Sequence, residues 1–226
     1  MSASTGLMPI TIVSDVICPW CFIGKARLER ALTDAGLASR VGITWLPYEL
    51  NPEMPEEGMD RTTYLNTKFG PGRRPEIEAR LSEAALESGL RFAWNKVTRT
   101  PNTRAAHMLI AAASTVMRGT DMTQALFQAY FQEGRDIGDH DTLVEIATSL
   151  GFDETATREA LANSETRETI IGLEAHAQRI GVTGVPFFIL ANRSAVSGAQ
   201  PPDVWVQILT QIAREEAEKA PDERMW

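Results

Sequence analysis

Two cysteines three positions apart, Cys18 and Cys21, are the only cysteines in 226 residues, and a thiol pair at that spacing has few uses. A structural disulfide framework spreads its cysteines to close long loops. A zinc site needs two further ligands, and His107, His140 and His176 are scattered with no ligand spacing. Two small core side chains are the bland alternative, against which the strand–CxxC–helix context argues. The remaining use is thiol–disulfide exchange, in which a thiolate attacks a disulfide sulfur and a second thiol releases the mixed disulfide.

The residues around the pair assign its two roles. Pro19 suits the first turn of a helix, where no amide donor is needed. Cys18 then stands at the helix start, whose partial positive charge and unpaired amides favour a thiolate. Cys21 sits one turn deeper and is expected to be the less exposed. Residues at i and i+3 can bring their sulfurs together, so Cys18 attacks or is attacked and Cys21 resolves. Pro19 and Trp20 tune the couple, and Trp20 serves either a substrate platform or core packing.

These residues need elements to hold them. Pro9–Ser14 is a β-branched run that reads as a buried strand delivering Cys18 through Asp15-Val16-Ile17. From Pro19 the period becomes helical, with Phe22, Ala26, Leu28, Leu32 and Ala35 apolar, Lys25, Arg27, Glu29 and Arg30 mostly on the solvent side, and Gly36 as the stop. Val41–Tyr48 is a second strand. The Pro- and Glu-rich stretch Asn51–Gly58 marks a boundary. Helices are then expected over Pro75–Ser88, Thr103–Arg118, Thr123–Glu133, Asp141–Leu150, Glu154–Leu161 and Glu165–Ile180, with Asp139 or Asp141 and Asp153 as caps. Strand character returns at Phe187–Leu190 and Ser194–Ser197, a last helix covers Asp203–Glu218, and the tail Ala220–Trp226 reads as frayed. A β-α-β unit and a β-β-α unit thus bracket a helical block, which makes an α/β fold with a small mixed sheet.

Composition sets outer bounds. With 43% hydrophobic and 23% charged residues the chain is an ordinary globular one that needs no disulfide staples. Its net charge of −8 argues against a nucleic-acid partner. No apolar run approaches a membrane span, and Met1–Pro9 lacks the basic and apolar regions of a secretory signal. A cytoplasmic location with no membrane partner is therefore expected.

Three stretches resemble one known family. Ser14-Asp15-Val16-Ile17-Cys18-Pro19-Trp20-Cys21-Phe22-Ile23-Gly24 resembles the active-site segment of the DsbA-like thioredoxin superfamily, in its FrnE-like cytoplasmic branch. Gly181–Phe188 with Ser197-Gly198-Ala199-Gln200 is similar to its proline loop, and Asn102-Thr103, His107, Ala129-Tyr130-Phe131 and Gly134–Ile137 match its helical part. The resemblance spans nearly the whole chain. It implies a thioredoxin fold with a large all-helical insertion: residues 1–55 and 177–226 forming a discontinuous thioredoxin-like domain, and residues 56–176 the insertion. It further implies a cis bond before Pro186 facing the cysteines, with the Val185 backbone available to an extended substrate peptide. The expected substrate-binding residues are thus Pro19, Trp20, Val185 and Pro186.

The resemblance extends to 2-hydroxychromene-2-carboxylate isomerases and kappa-class glutathione transferases, whose activity uses bound glutathione at a serine-type site. Cys21 discriminates, because such an enzyme has no need of a resolving thiol. A non-catalytic peptide-binding module is the third class. The leading expectation is an oxidoreductase acting on protein or low-molecular-weight disulfides. It holds no bound cofactor and no metal, takes glutathione at most as co-substrate, and leaves the oligomeric state open, a homodimer included. Among the other polar residues, Glu49 reads first as a solvated strand end and secondarily as a proton acceptor for Cys21. His107 reads as a satisfied core or groove histidine, and Asn102 as a helix N-cap.

Overall fold

The computed structural model describes residues 7–219, so the expectations for the first six residues and for Ala220–Trp226 lie outside the described residues. In chain order the elements are β1 (Met8–Ser14), α1 (Pro19–Asp34), β2 (Val41–Pro47), β3 (Met59–Asp60), α2 (Arg61–Phe69), α3 (Arg74–Glu87), β4 (Arg99–Thr100), α4 (Arg104–Ser114), α5 (Gly119–Gln128), α6 (His140–Ser149), α7 (Glu154–Ala162), α8 (Ser164–Arg179), β5 (Phe187–Leu190), β6 (Ser194–Ser197) and α9 (Pro202–Lys219). The main sheet has the order β2-β1-β5-β6. β1 runs parallel to β2, with Met8 opposite Val41, and antiparallel to β5, with Ile12 opposite Phe188. β5 and β6 close the sheet as an antiparallel pair. This is the mixed α/β sheet of a thioredoxin fold with helices inserted between its two halves.

Helix α1 is the element on which the site depends. Pro19 opens it without losing a donor. Its end is a left-handed closure: Gly36 has φ +66°, and Leu37 N donates back to the Leu32 carbonyl over 2.8 Å. Two cores grip it. Leu28 and Leu32 pack with Ile10, Ile12, Phe188, Leu190, Trp205 and Leu209 between sheet and α9, and the Trp205 ring meets Phe188 edge-on at 4.8 Å. On the other side Phe22 stacks on Phe127 at 4.9 Å and 5° and joins Phe92 and Phe131 of the helical block. Being gripped twice buries more of α1 than a one-sided stripe provides. Lys25, expected on the solvent side, is 4% exposed, and its ammonium is held by Glu29 and Gln124, each at 2.7 Å.

The other expected helices are found within a few residues, with two departures. Helix α2 was not foreseen. Its sequence Arg-Thr-Thr-Tyr-Leu-Asn-Thr-Lys-Phe buries only Arg61 and Leu65, too little for a readable apolar stripe, and Asp60 starts it by accepting from Thr63 N at 2.8 Å. The helix expected over Thr123–Glu133 begins earlier, at Gly119, and ends in a π turn over Ala129–Glu133. Asp139 and Asp153 cap α6 and α7, accepting from Thr142 N at 2.8 Å and Ala156 N at 2.9 Å.

Candidate functional site

Strand β1 ends at Ser14, and the chain then bends so that Cys18 N donates to the Asp15 carbonyl over 3.0 Å. The buried Asp15 side chain pins that bend. It accepts from Ile17 N at 3.3 Å and, through its other oxygen, from Leu50 N at 2.7 Å. An amide just beyond β2 thus holds the loop that carries the first cysteine. Cys18 is the extended N-cap of α1 and has no side-chain cap, which leaves the first-turn amides without a side-chain acceptor. Its carbonyl accepts from Cys21 N at 3.0 Å.

The far end of the chain closes over this turn. The bond between Val185 and Pro186 is cis, and Cys18 Sγ lies 3.7 Å from the Val185 carbonyl oxygen. Gly24 permits the approach: a Cβ there would stand 3.1 Å from Pro186 Cγ and 3.2 Å from Phe188 Cζ. Pro19, Trp20 and Val185 are half-buried and form the accessible part of the arrangement, whereas Pro186 is buried. The Arg80 guanidinium lies 5.9 Å from the Trp20 ring centroid.

Both cysteines are free thiols. The difference in exposure has the expected direction but is small: Cys18 is 4% exposed and Cys21 2%, because the Val185 loop covers the helix start. The two sulfurs differ more in surroundings. Burial pushes the Cys21 thiol well above the ordinary thiol range. The neighbouring Cys18 sulfur adds to the rise, while the Ser14 hydroxyl and the Asp15 backbone pull it back.

Behind the motif lies a buried polar cluster that the sequence did not announce. Glu49 is not a solvated strand end; it is 6% exposed, and Arg104 Nε donates to it over 2.7 Å. Burial raises its pKa in spite of Arg104 and His107. Asn102 does not occupy the cap position itself, which belongs to Thr103. Its side chain still accepts from Arg104 N at 3.0 Å and donates to the Met54 carbonyl at 2.8 Å. His107 is not satisfied. Its Nε2 stands 3.6 Å from Asp15 Oδ1, beyond hydrogen-bond length, and has no other partner. Burial alone would lower the His107 pKa, but Asp15, Glu174 and Glu49 together raise it. Glu174 of α8 is pushed up to about 7, first by burial and then by the charge of Glu49. Each unpartnered buried polar atom costs about 1–3 kcal/mol, so a cluster of them is retained against stability.

Sequence reasoning therefore brought Cys18, Cys21, Pro19, Trp20, Val185 and Pro186 to one place and missed Ser14, Asp15, Arg104 and Glu174. Asp15 had a signal, an acid inside the apolar run Ile-Val-Ser-Asp-Val-Ile. Glu174 had none, since its helix reads as largely polar.

The signature of the DsbA-like thioredoxin domain matches residues 9–210. The chain belongs to the DsbA-like thioredoxin family. Among solved structures, the probable DsbA oxidoreductase SCO1869 of Streptomyces coelicolor is 32% identical, with a TM-score of 0.82 over 90% of this chain and 89% of that one. A 2-hydroxychromene-2-carboxylate isomerase superposes at a TM-score of 0.72, with 17% identity over 93% and 98% of the two chains. The cytosolic disulfide reductase DsbM of Pseudomonas aeruginosa, solved with glutathione, does so at 0.67, with 18% identity over 91% and 99%. The last two likenesses show the shared fold. The DsbA-like membership puts the chain's chemistry with the thiol–disulfide oxidoreductases, as the three sequence stretches implied. Among the described residues no helix is long and apolar enough to cross a membrane.

Proposed function

We propose that the protein exchanges disulfides through Cys18 and Cys21. Cys18 is the sulfur that bonds to the substrate, and Cys21 is the thiol that resolves the mixed disulfide. The observation that carries this reading is the meeting of Cys18, at the start of α1, with the Val185 carbonyl at 3.7 Å. Cys18 stands at the start of α1 beside the half-buried Trp20 and Val185, and Cys21 one turn further along is held as a thiol by burial. That asymmetry makes one sulfur the entry point and the other the release. Pro19, Trp20 and the Val185 backbone form the surface that a substrate meets, with Pro186 behind them.

The substrate class is protein or low-molecular-weight disulfides. Glutathione is the small thiol of choice for recycling, in keeping with the fold neighbour solved with it. The same neighbour is described as cytosolic, and we place this protein in the cytoplasm, where reduction or isomerisation suits the reducing setting better than net oxidation. Insulin reduction supported by glutathione is the test. The wild-type chain accelerates it and Cys18→Ser returns it to the uncatalysed rate; activity retained in Cys18→Ser rejects the assignment.

A further inference from the structure

Three arginines of the described residues lie over aromatic rings, and they are not alike. Arg61 faces Trp94 at 4.9 Å and has Glu78 at 3.5 Å. Arg118 faces Phe152 at 5.2 Å and has Asp121 at 2.9 Å. Arg80 lies 5.9 Å from the Trp20 ring centroid and has no carboxylate partner among the described residues. Glu76, one turn back on α3, is taken by Arg73 at 3.0 Å, and Glu83, one turn on, makes no ion pair with Arg80. The position of Arg80 is set by its helix. Leu81, Ala84 and Ala85 of α3 share a core with Cys21 and Phe22 of α1. Arg27 Nε of α1 donates to Ser88 Oγ, just past the end of α3, over 2.9 Å. Arg80 adjoins the anchored Leu81 and is exposed at the rim, where Trp20 follows Cys18 at the start of α1.

Stacking uses the flat face of a guanidinium and leaves its N–H edge free, and that edge takes a carboxylate in a two-bond fork. The charge balance makes a free cation at this place informative. The chain carries a net charge of −8, and the attacking group in disulfide exchange is a thiolate. Like-charge repulsion therefore makes an anionic disulfide the poorer substrate unless a cation stands beside its path. The burial of Cys18, 4% exposed beneath the Val185 loop, favours a slender disulfide over one set in a folded protein surface.

We propose, on the disulfide-exchange reading above, that Arg80 is a specificity-determining residue that selects low-molecular-weight disulfides carrying a carboxylate near the sulfur. Trp20 positions the guanidinium, and its N–H edge holds the carboxylate as Cys18 attacks. The Cys18 sulfur bonds to one substrate sulfur, the substrate S–S bond breaks, and the other half leaves as a thiolate. Arg80 exchanges neither electrons nor protons in that step.

Three disulfides of similar length and different charge test this: anionic dithiodipropionate, neutral hydroxyethyl disulfide and cationic cystamine. Mixed-disulfide formation on Cys18 is timed in a Cys21→Ser background, with and without Arg80→Gln, so that the intrinsic reactivity of each disulfide cancels. Arg80→Gln is expected to slow dithiodipropionate about fivefold, the upper range for an exposed ion pair, and to speed cystamine. The hydroxyethyl disulfide rate stays the same, which shows the site intact. Arg80→Lys, which keeps the charge, retains the preference, and added salt erases it. An equal change for all three disulfides, or no change for any, overturns selection by Arg80 and leaves the roles of the cysteines standing. Absence of an adduct on Cys18 with every one of the three instead overturns the exchange reading itself.

Discussion

Two buried regions of this molecule were built to different ends. Between the sheet and α9, Ile10, Ile12, Leu28, Phe188, Leu190, Trp205 and Leu209 form an apolar core, in which the Trp205 indole nitrogen is the one unpartnered polar atom. Where α4 and α8 meet the ends of β1 and β2, the interior holds Asp15, Glu49, His107 and Glu174, three of them with an unpartnered oxygen or nitrogen. The first region supplies stability: burying apolar side chains is favourable and undemanding of geometry. The second withholds it, because a buried acid short of partners is stabilised mainly by holding its proton. The lesson is that DsbA-like chemistry here lies over a deliberately polar pocket, with a separate apolar core carrying the fold.

That contrast can be broken or sharpened by substitution. The largest effect is expected from Trp205→Ala, which should lower the unfolding free energy in urea by about 3–5 kcal/mol. Turnover per folded molecule at the cysteines should stay as it was. A fall in specific turnover on the scale of the stability loss would show that the two regions are one.

Glu174→Gln probes the polar region, and its sign follows from linkage. In the folded chain Glu174 ionises near about 7, against an ordinary 4.5. The fold thus binds that proton the more tightly, so this contribution to stability is complete below the unfolded value and is lost as pH rises through the folded one. His107, also raised, acts in the same direction. The variant cannot lose what Glu174 loses. It should match the wild type near pH 4 and exceed it above neutrality by about 2–3 kcal/mol, measured by urea unfolding across pH. Parallel stability curves for the two proteins would remove Glu174 from the cluster.

The smallest effect is expected in the helical block. Asp139→Ala removes the acceptor for Thr142 N at the start of α6 and should cost about 1 kcal/mol with no change in exchange rate. A rate change there would mean that the cap, far along the chain from both cysteines, is coupled to the site.

How much of this was legible in the residues divides along the same line. The strands Phe187–Leu190 and Ser194–Ser197 and the start of α1 followed from period and from Pro19, since local preference and burial agree there. The cysteines were legible because their chemistry is tied to residue type, and Pro186 through the family resemblance. The polar pocket was not. Nothing in one dimension says that Glu49 and Glu174, 125 positions apart, share a charge environment. Nor could the α1 pattern foretell a lysine buried between two cores, because its burial comes from the helical block packing on the far side. Nor does the local pattern show how deeply Cys18 is buried: the covering loop at Val185 comes from 167 residues away.

The most direct test of the central claim is to trap the first bond. Cys21→Ser protein, reduced and then exposed to oxidised glutathione, should accumulate one glutathionyl adduct, which peptide mass spectrometry should place on Cys18. The wild-type chain should hold no lasting adduct and end with an internal disulfide. An active wild type whose Cys21→Ser variant gathers no adduct on Cys18 would contradict the account.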